Sequence, residues 1–272
     1  MNATLPLKAR RISSLRLKRL LLASATVTAL CASTLRADEP SKSDRASPGP
    51  HIIIRSVQPT TTAAGPVVRY GLTRGDADAI AASVPGLVHL IPVRESTREI
   101  RVGERSLDVR LTGTLPDYRP LHGLRIARGR FLTEDDQTES RNVVVLGSDV
   151  VDRLFPEQSP IGEYIWIDQK VFVVIGECAA ATKQAQAGMH DAPHAFLPLS
   201  AMRRRLGDRE VIRRTGTFEL KHVELSRIDI RLSSVDDVVA TANIIRHLLD
   251  RRHDKADFAL HLPFESVEGG QT

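Results

Sequence analysis

Only a few residues in this sequence have the types and spacing that catalysis or metal binding needs. His190-Asp191-x-x-His194 places two imidazoles and a carboxylate within five positions, a donor set able to hold zinc for a hydrolase. A helical zinc-hydrolase site needs histidines at i and i+4 on one stable face, with a glutamate between them. Here Pro193 interrupts the run and the flanks, rich in Ala, Gln and Gly, read as a loop, so no metal is assigned. Gly147-Ser148-Asp149 has a serine at a strand-to-helix turn but no Gly-x-Ser-x-Gly elbow, and Ser148 reads better as a helix cap. Asp135-Asp136 reads as a solvated turn. His247 and His253 lie six apart, off one helical face, and read as surface or capping residues. Cys178 follows the apolar run Val171 to Ile175, and the chain's other cysteine, Cys31, falls in the N-terminal segment, so burial as a small hydrophobe is expected. No Gly-x-x-x-x-Gly-Lys-Ser/Thr loop occurs, hence no nucleotide motor. No catalytic, cofactor or metal residue is therefore assigned, and the chain reads as non-enzymatic.

The elements around these residues can be read from periodicity. His51 to Val57 is strand-like and Thr60 to Gly65 a loop. Thr73 is a good N-cap with Asp76 in the first turn, and Ala77, Ile80, Ala81 and Val84 share a helical face that Pro85-Gly86 ends. Val88 to Pro92 and Arg98 to Val102 read as two strands, with Gly103-Glu104 turning into the alternating run Leu107 to Thr112. A second unit opens at Asn142 with the strand Val143 to Leu146, then a helix capped by Ser148 with Val150, Val151, Leu154 and Phe155 inward. Tyr164 to Ile167 and Val171 to Ile175 form a hairpin. Residues 179–192 read as a loop, Leu199, Met202 and Leu206 as one helix face, and 207–222 as a charged loop or edge strand. The chain closes with the strand Ile228 to Leu232, a helix opened by a Ser234/Asp237 capping box with Val235, Val238, Ala242, Ile245 and Leu249 as its stripe, and the strand Phe258 to Leu262.

Charge excludes one function class. The formal charge is +5, but seven basic groups and no acidic one lie in the first 37 residues. Setting these aside leaves 31 basic against 33 acidic residues, which gives no concentrated field for phosphates, so no nucleic acid is expected. That same segment has the layout of a secretory signal. Basic residues run to Arg19, an apolar stretch covers Leu20 to Ala32, and small residues come after it. The apolar stretch is shorter than the roughly 20 residues a spanning helix needs. Residues 1–37 thus read as a cleaved signal peptide, with an uncleaved N-terminal anchor as the alternative, and 38–50 as a flexible linker.

Taken in order, the segments resemble the periplasmic core domain of MacB-type ABC transporter permeases. The likeness rests on Leu72-Thr73-x-x-Asp76-x-x-x-Ile80, on Gly113-Thr114-Leu115-Pro116-Asp117-Tyr118, and on Arg128-Gly129-Arg130-Phe131-Leu132. It continues through Val143 to Gly147, Leu154-Phe155-Pro156, Pro160-Ile161-Gly162, Phe172 to Gly176, Asp191 with Phe196-Leu197-Pro198, and Leu248 to His253 with Asp257-Phe258. The resemblance implies an α+β fold over 51–265. A porter-like β-α-β part comes from 51–130 and 225–265, a Sabre-like α+β insert spans 131–224, and 266–272 is a tail. Family members carry one transmembrane helix before this domain and three after it. This sequence ends at Thr272, so it is not expected to pump alone.

The resemblance thus implies a periplasmic or exported interaction module, related to exporters of lipoproteins, peptides or small toxins. Its implied partners are a membrane permease, an adaptor or an exported cargo protein, met through the loops at 179–192 and 207–222. No cofactor is implied. One alternative is an uncleaved single-pass subunit of a split ABC transporter, anchored in the inner membrane. A second is a secreted metal-dependent hydrolase using the His190/His194 loop.

Overall fold

The computed structural model describes residues 50–59, 67–179, 193–214 and 217–262. The chain opens with β1 (His51–Ser56), β2 (Val67–Arg69) and α1 (Arg74–Ser83), then a long hairpin, β3 (Leu87–Val102) and β4 (Arg105–Thr114). Three short elements, α2 (Tyr118–His122), β5 (Ile126–Gly129) and α3 (Glu134–Thr138), lead to β6 (Val143–Gly147) and α4 (Ser148–Leu154). Next come β7 (Tyr164–Ile167), β8 (Lys170–Cys178), β9 (His194–Pro198) and α5 (Leu199–Arg205). The chain ends through β10 (Arg209–Arg214), β11 (Thr217–His222), β12 (Arg227–Leu232), α6 (Val238–Asp250) and β13 (Phe258–His261). Among the described residues no helix is long and apolar enough to cross a membrane.

One ten-stranded sheet runs β13-β1-β12-β3-β4-β9-β6-β8-β5, with β7 bridging β3 and β8. Its pivot is β3, which is one strand of 16 residues where the sequence suggested two. Residues 87–93 pair with β12 and residues 94–102 with β4, so the strand changes partner between Val93 and Arg94. Pro92 sits in the first half, where β3 has a neighbour on one edge only. A missing N–H is tolerated at such an edge and not in a strand paired on both sides.

Three apolar clusters arise from this layout. One joins both ends of the chain, with Ile52 and Ile54 of β1 and Ile228 and Ile230 of β12 packed under Ile80 of α1 and Ile245 and Leu249 of α6. A second gathers Ile100, Leu111, Leu146, Phe172, Leu154 and Met202. A third lies under α2, where Tyr118 meets Ile91, Val93, Phe131, Val145 and Phe196. Burying a Leu, Ile or Phe side chain contributes about 1.5–3 kcal/mol, so these clusters carry a fold in which Cys178 is a free thiol.

Several local expectations hold. Thr73 and Asp76 form a reciprocal capping box on α1, and Val150, Val151, Leu154 and Phe155 are buried. Others need correction. Ser148 is the first residue of α4 and makes no side-chain cap bond, because Gly147 occupies the N-cap. The helix after β12 starts at Val238, its N-cap Asp237 makes no side-chain bond, and Val235 is exposed, so no Ser234/Asp237 capping box forms. Ser234 instead accepts from the backbone N–H of Asp236 at 3.2 Å. Asp136 does not sit in a solvated turn. It is the buried N3 residue of α3, in a capping box with Thr133 and paired with Arg130 at 2.6 Å. Of the two readings of 207–222, loop or edge strand, the strand is the one that holds: β10 lies at the edge of a separate three-stranded sheet and pairs with β11, which pairs in parallel with β2.

Two glycines of the family-like passages meet across the sheet. Gly129 of β5 and Gly176 of β8 are cross-strand partners. A Cβ on Gly176 would clash with the backbone carbonyl of Arg130, and one on Gly129 with that of Ile175. The two backbones approach more closely than any side chain allows.

Candidate interaction site

Of the residues singled out for chemistry, the described ones do not come together. His190 and Asp191 lie outside the described residues, as does 180–192 of the expected loop. His194 opens β9, with its Nδ1 3.9 Å from Asp149 Oδ1 and its ring edge-on to Phe196. Among the described residues no three His, Cys, Asp or Glu side chains are grouped to hold a metal. His247 is exposed on α6, and Asp135 is exposed beside the buried Asp136. Cys178 is fully buried, and burial, with Asp149 and Glu177 nearby, pushes its thiol up to about 11. A thiol-reactive maleimide should therefore leave Cys178 unmodified in the native chain and label it within the unfolding transition, read by mass spectrometry of the peptide that carries Cys178. Rapid labelling of Cys178 in the folded chain would contradict this burial.

His253 is the main departure from the surface role expected of it. It lies between two carboxylates, Nε2 3.0 Å from Asp76 Oδ2 and Nδ1 2.7 Å from Asp257 Oδ1. Arg252 Nε donates to Asp76 Oδ1 at 2.6 Å, and the backbone N–H of Gly71 donates to Asp257 Oδ2 at 2.8 Å. The Thr73 hydroxyl donates to Asp76 Oδ2 at 2.7 Å. Burial works to raise the Asp76 carboxyl, but the bonds from Arg252, Thr73 and His253 outweigh it and hold the group below its ordinary range. This network ties the entry of α1 to the exit of α6 and the start of β13, and forms one wall of a cleft of about 610 Å³.

The chemical capacity of that cleft is limited by the same bonds. Both ring nitrogens of His253 face carboxylate oxygens, so neither lone pair is aimed at the open space. The Thr73 hydroxyl is spent on the cap, donating to Asp76 and accepting from its backbone N–H. Arg69, Asp254 and Lys255 on the rim are exposed and of mixed sign. The wall of the cleft is braced by these bonds.

A second buried polar group sits where β3 changes partner. Arg227 donates through Nε to both oxygens of Asp229, at 2.9 and 3.1 Å, and through a terminal nitrogen to the Tyr118 hydroxyl at 2.8 Å. It also pairs with Glu95, while His122 meets Asp229 at 2.9 Å. Arg227, Asp229 and Tyr118 are all buried. Burial opposes the charges on Arg227 and Asp229, yet each holds the other ionised.

Two further features bear on contact with other molecules. β1 pairs antiparallel with β13, Ile53 opposite His261, so the first and last described residues leave the sheet side by side. On the far hairpin, β7 turns Tyr164 and Trp166 outward.

Comparison with known proteins places this fold. The sequence pattern of MacB-like periplasmic core domains matches residues 22–248. The macrolide export ATP-binding/permease protein MacB of Nitrosomonas europaea is 29% identical over 192 residues, covering 70% of this chain and 27% of that protein. The pyoverdine export ATP-binding/permease protein PvdT of Pseudomonas aeruginosa is 30% identical over 142 residues, covering 52% of this chain and 21% of that protein. The chain thus spans about a quarter of the length of the curated relatives it matches. Among solved structures, the periplasmic region of MacB from Actinobacillus actinomycetemcomitans superposes with a TM-score of 0.62 at 20% identity, covering 82% of this chain and 94% of that one. The extracellular domain of the noncanonic ABC-type transporter YknZ from Gram-positive bacteria gives 0.58 at 17% identity, covering 78% and 99%.

Proposed function

The chain belongs to the family of MacB-like periplasmic core domains, and from that premise we propose that it is an exported, non-enzymatic interaction module of an ABC-type export system. The observation that carries this reading is the adjacency of the two described ends. With β1 and β13 paired, both connections leave one edge of the sheet, so the domain can be held at a surface from one side. The cleft at His253 and the outward hairpin then remain available to partners. In this reading the cluster built from both chain ends is the porter-like part, and residues 131–224 supply the Sabre-like insert. Its partners are a membrane permease, an adaptor or an exported cargo protein, and residues 1–37 serve export.

Cross-linking of the full chain in the periplasm, followed by mass spectrometry of what is captured, tests the proposal. The expected result is enrichment of a permease, an adaptor or one secreted protein over a control domain of similar size and charge. Capture no different from the control would overturn the reading. The captured chain's own mass separates the two membrane relationships. A start between Thr34 and Asp38 marks a freely exported domain, and an intact N-terminus marks a single-pass subunit.

A further inference from the structure

The outer face of the β7–β8 hairpin carries the chain's sole tryptophan. Ile165 and Ile167 are fully buried, which by strand alternation turns Tyr164 and Trp166 outward, at 65% and 49% exposure. Aromatic residues are only 4% of this chain, and Tyr118, Phe131, Phe155, Phe172 and Phe196 are all buried. Leaving the largest ring in water therefore runs against the protein's own habit. Trp166 lies across from Arg101 of β3 on one side and Val171 of β8 on the other. Beside it opens a depression of about 460 Å³, lined by Glu99, Arg101, Gly103, Asp168 and Gln169.

The turn at its edge has a cost of its own. Asp168 and Gln169 both adopt left-handed backbone, at φ 44° and 66°. Asp is at home at the first left-handed position of such a two-residue turn, but glycine is preferred at the second, so Gln169 is kept here against backbone preference. Arg98 Nε holds Asp168 at 3.0 Å, which leaves the Gln169 amide, the Glu99 carboxylate and the Arg101 guanidinium around the ring.

We infer that this depression binds a neutral carbohydrate, with one pyranose ring of an oligosaccharide stacked on Trp166. Charge balance selects the ligand class. Glu99 is offset by Arg101 and Asp168 by Arg98, so the site has no net field to favour a phosphate or an amine. A nucleotide would use the same aromatic face, but it brings phosphate charge that nothing here neutralises. A pyranose offers an apolar C–H face to the indole and a rim of hydroxyls to the planar carboxylate, guanidinium and amide. An apolar wall with a few placed polar groups is the usual composition of a small-ligand site. The openness of the depression implies weak binding, with a dissociation constant on the order of a millimolar.

Because Trp166 is the sole tryptophan, its emission reports on this site alone. The full chain is titrated with chitohexaose, cellohexaose and maltohexaose while the indole is excited at the red edge of its absorption. The expected result is a saturable emission change with at least one of the three. Arg101→Ala or Glu99→Gln should weaken it about tenfold or more, with the melting temperature unchanged because both side chains are exposed. Calorimetric titration of Trp166→Ala should show no heat of binding with the same sugar. No saturable change with any of the three up to their solubility overturns the proposal. So does binding that survives both polar substitutions, or heat that persists without the indole.

Discussion

Replacing Arg227 with alanine should cost the fold about 3–5 kcal/mol, because it strands a buried carboxylate. Asp229 is 2% exposed, and its ionised form is held by Arg227 and His122. Without the guanidinium, Asp229 keeps one partner, the Tyr118 hydroxyl loses its 2.8 Å contact, and Glu95 loses its ion pair. Urea denaturation of the full chain reads the effect as a lower midpoint at unchanged slope. The double replacement Arg227→Met with Asp229→Leu should recover part of the loss, since it removes the stranded carboxylate but leaves the Tyr118 hydroxyl, His122 and Glu95 without these partners. A single variant within about 0.5 kcal/mol of wild type would show that the pair is not desolvated as described. The place matters as much as the size. This network lies against the point where β3 leaves β12 for β4, so losing it should also loosen α2, visible as faster amide exchange over 118–122.

Asp76→Asn should destabilise by about 2–4 kcal/mol at neutral pH, the smaller figure allowing for the partly exposed Arg252. The asparagine keeps the shape and one acceptor but gives up the charge that Arg252 and His253 both meet. The effect must depend on pH with a definite sign. The folded carboxyl of Asp76 titrates below its ordinary value of about 3.9, so its contribution is fully present above that pH and is lost as the pH falls through the folded value. The gap between wild type and Asp76→Asn should accordingly be widest near neutrality and close in acid below about pH 4. Chemical denaturation at a series of pH values checks this. A gap that stayed constant into acid would mean that the charge of Asp76 contributes nothing and only its shape matters.

The sequence carried the elements with strong local signals. The capping box of α1 was legible because Thr73 and Asp76 need only each other's backbone. The hairpin of β7 and β8 was legible because the polar run Asp168-Gln169-Lys170 separates two apolar stretches, and the stripe of α6 because one helix face is apolar, though Val235, read as part of it, is exposed. The short elements α2, β5 and α3 were missed. Each is four or five residues long, too short for either period to register. The stretch 207–222 read as a loop or an edge strand because it is charged; its two strands pair with each other, and β11 also pairs with Val67–Arg69, more than 140 residues earlier.

By itself, the sequence determined the α+β class, the order of the main strands and helices, the passages that mark the family and the burial of Cys178. Apart from the family passages, which are a resemblance, those features come from periodicity and capping, which act between near neighbours. Tertiary structure alone decided which polar residues would be buried. Arg227-Ile228-Asp229-Ile230 looks like a half-exposed strand with its charges in water, yet α2 covers the charged face and turns those groups into a network. His253 looks like a surface residue past the end of a helix until α1 and β13 bring Asp76 and Asp257 to its two nitrogens. Asp257 and Asp229 lie only four and two positions from His253 and Arg227, but the partners that bury these groups, Asp76 and Tyr118, are 177 and 109 positions away and leave no spacing to read.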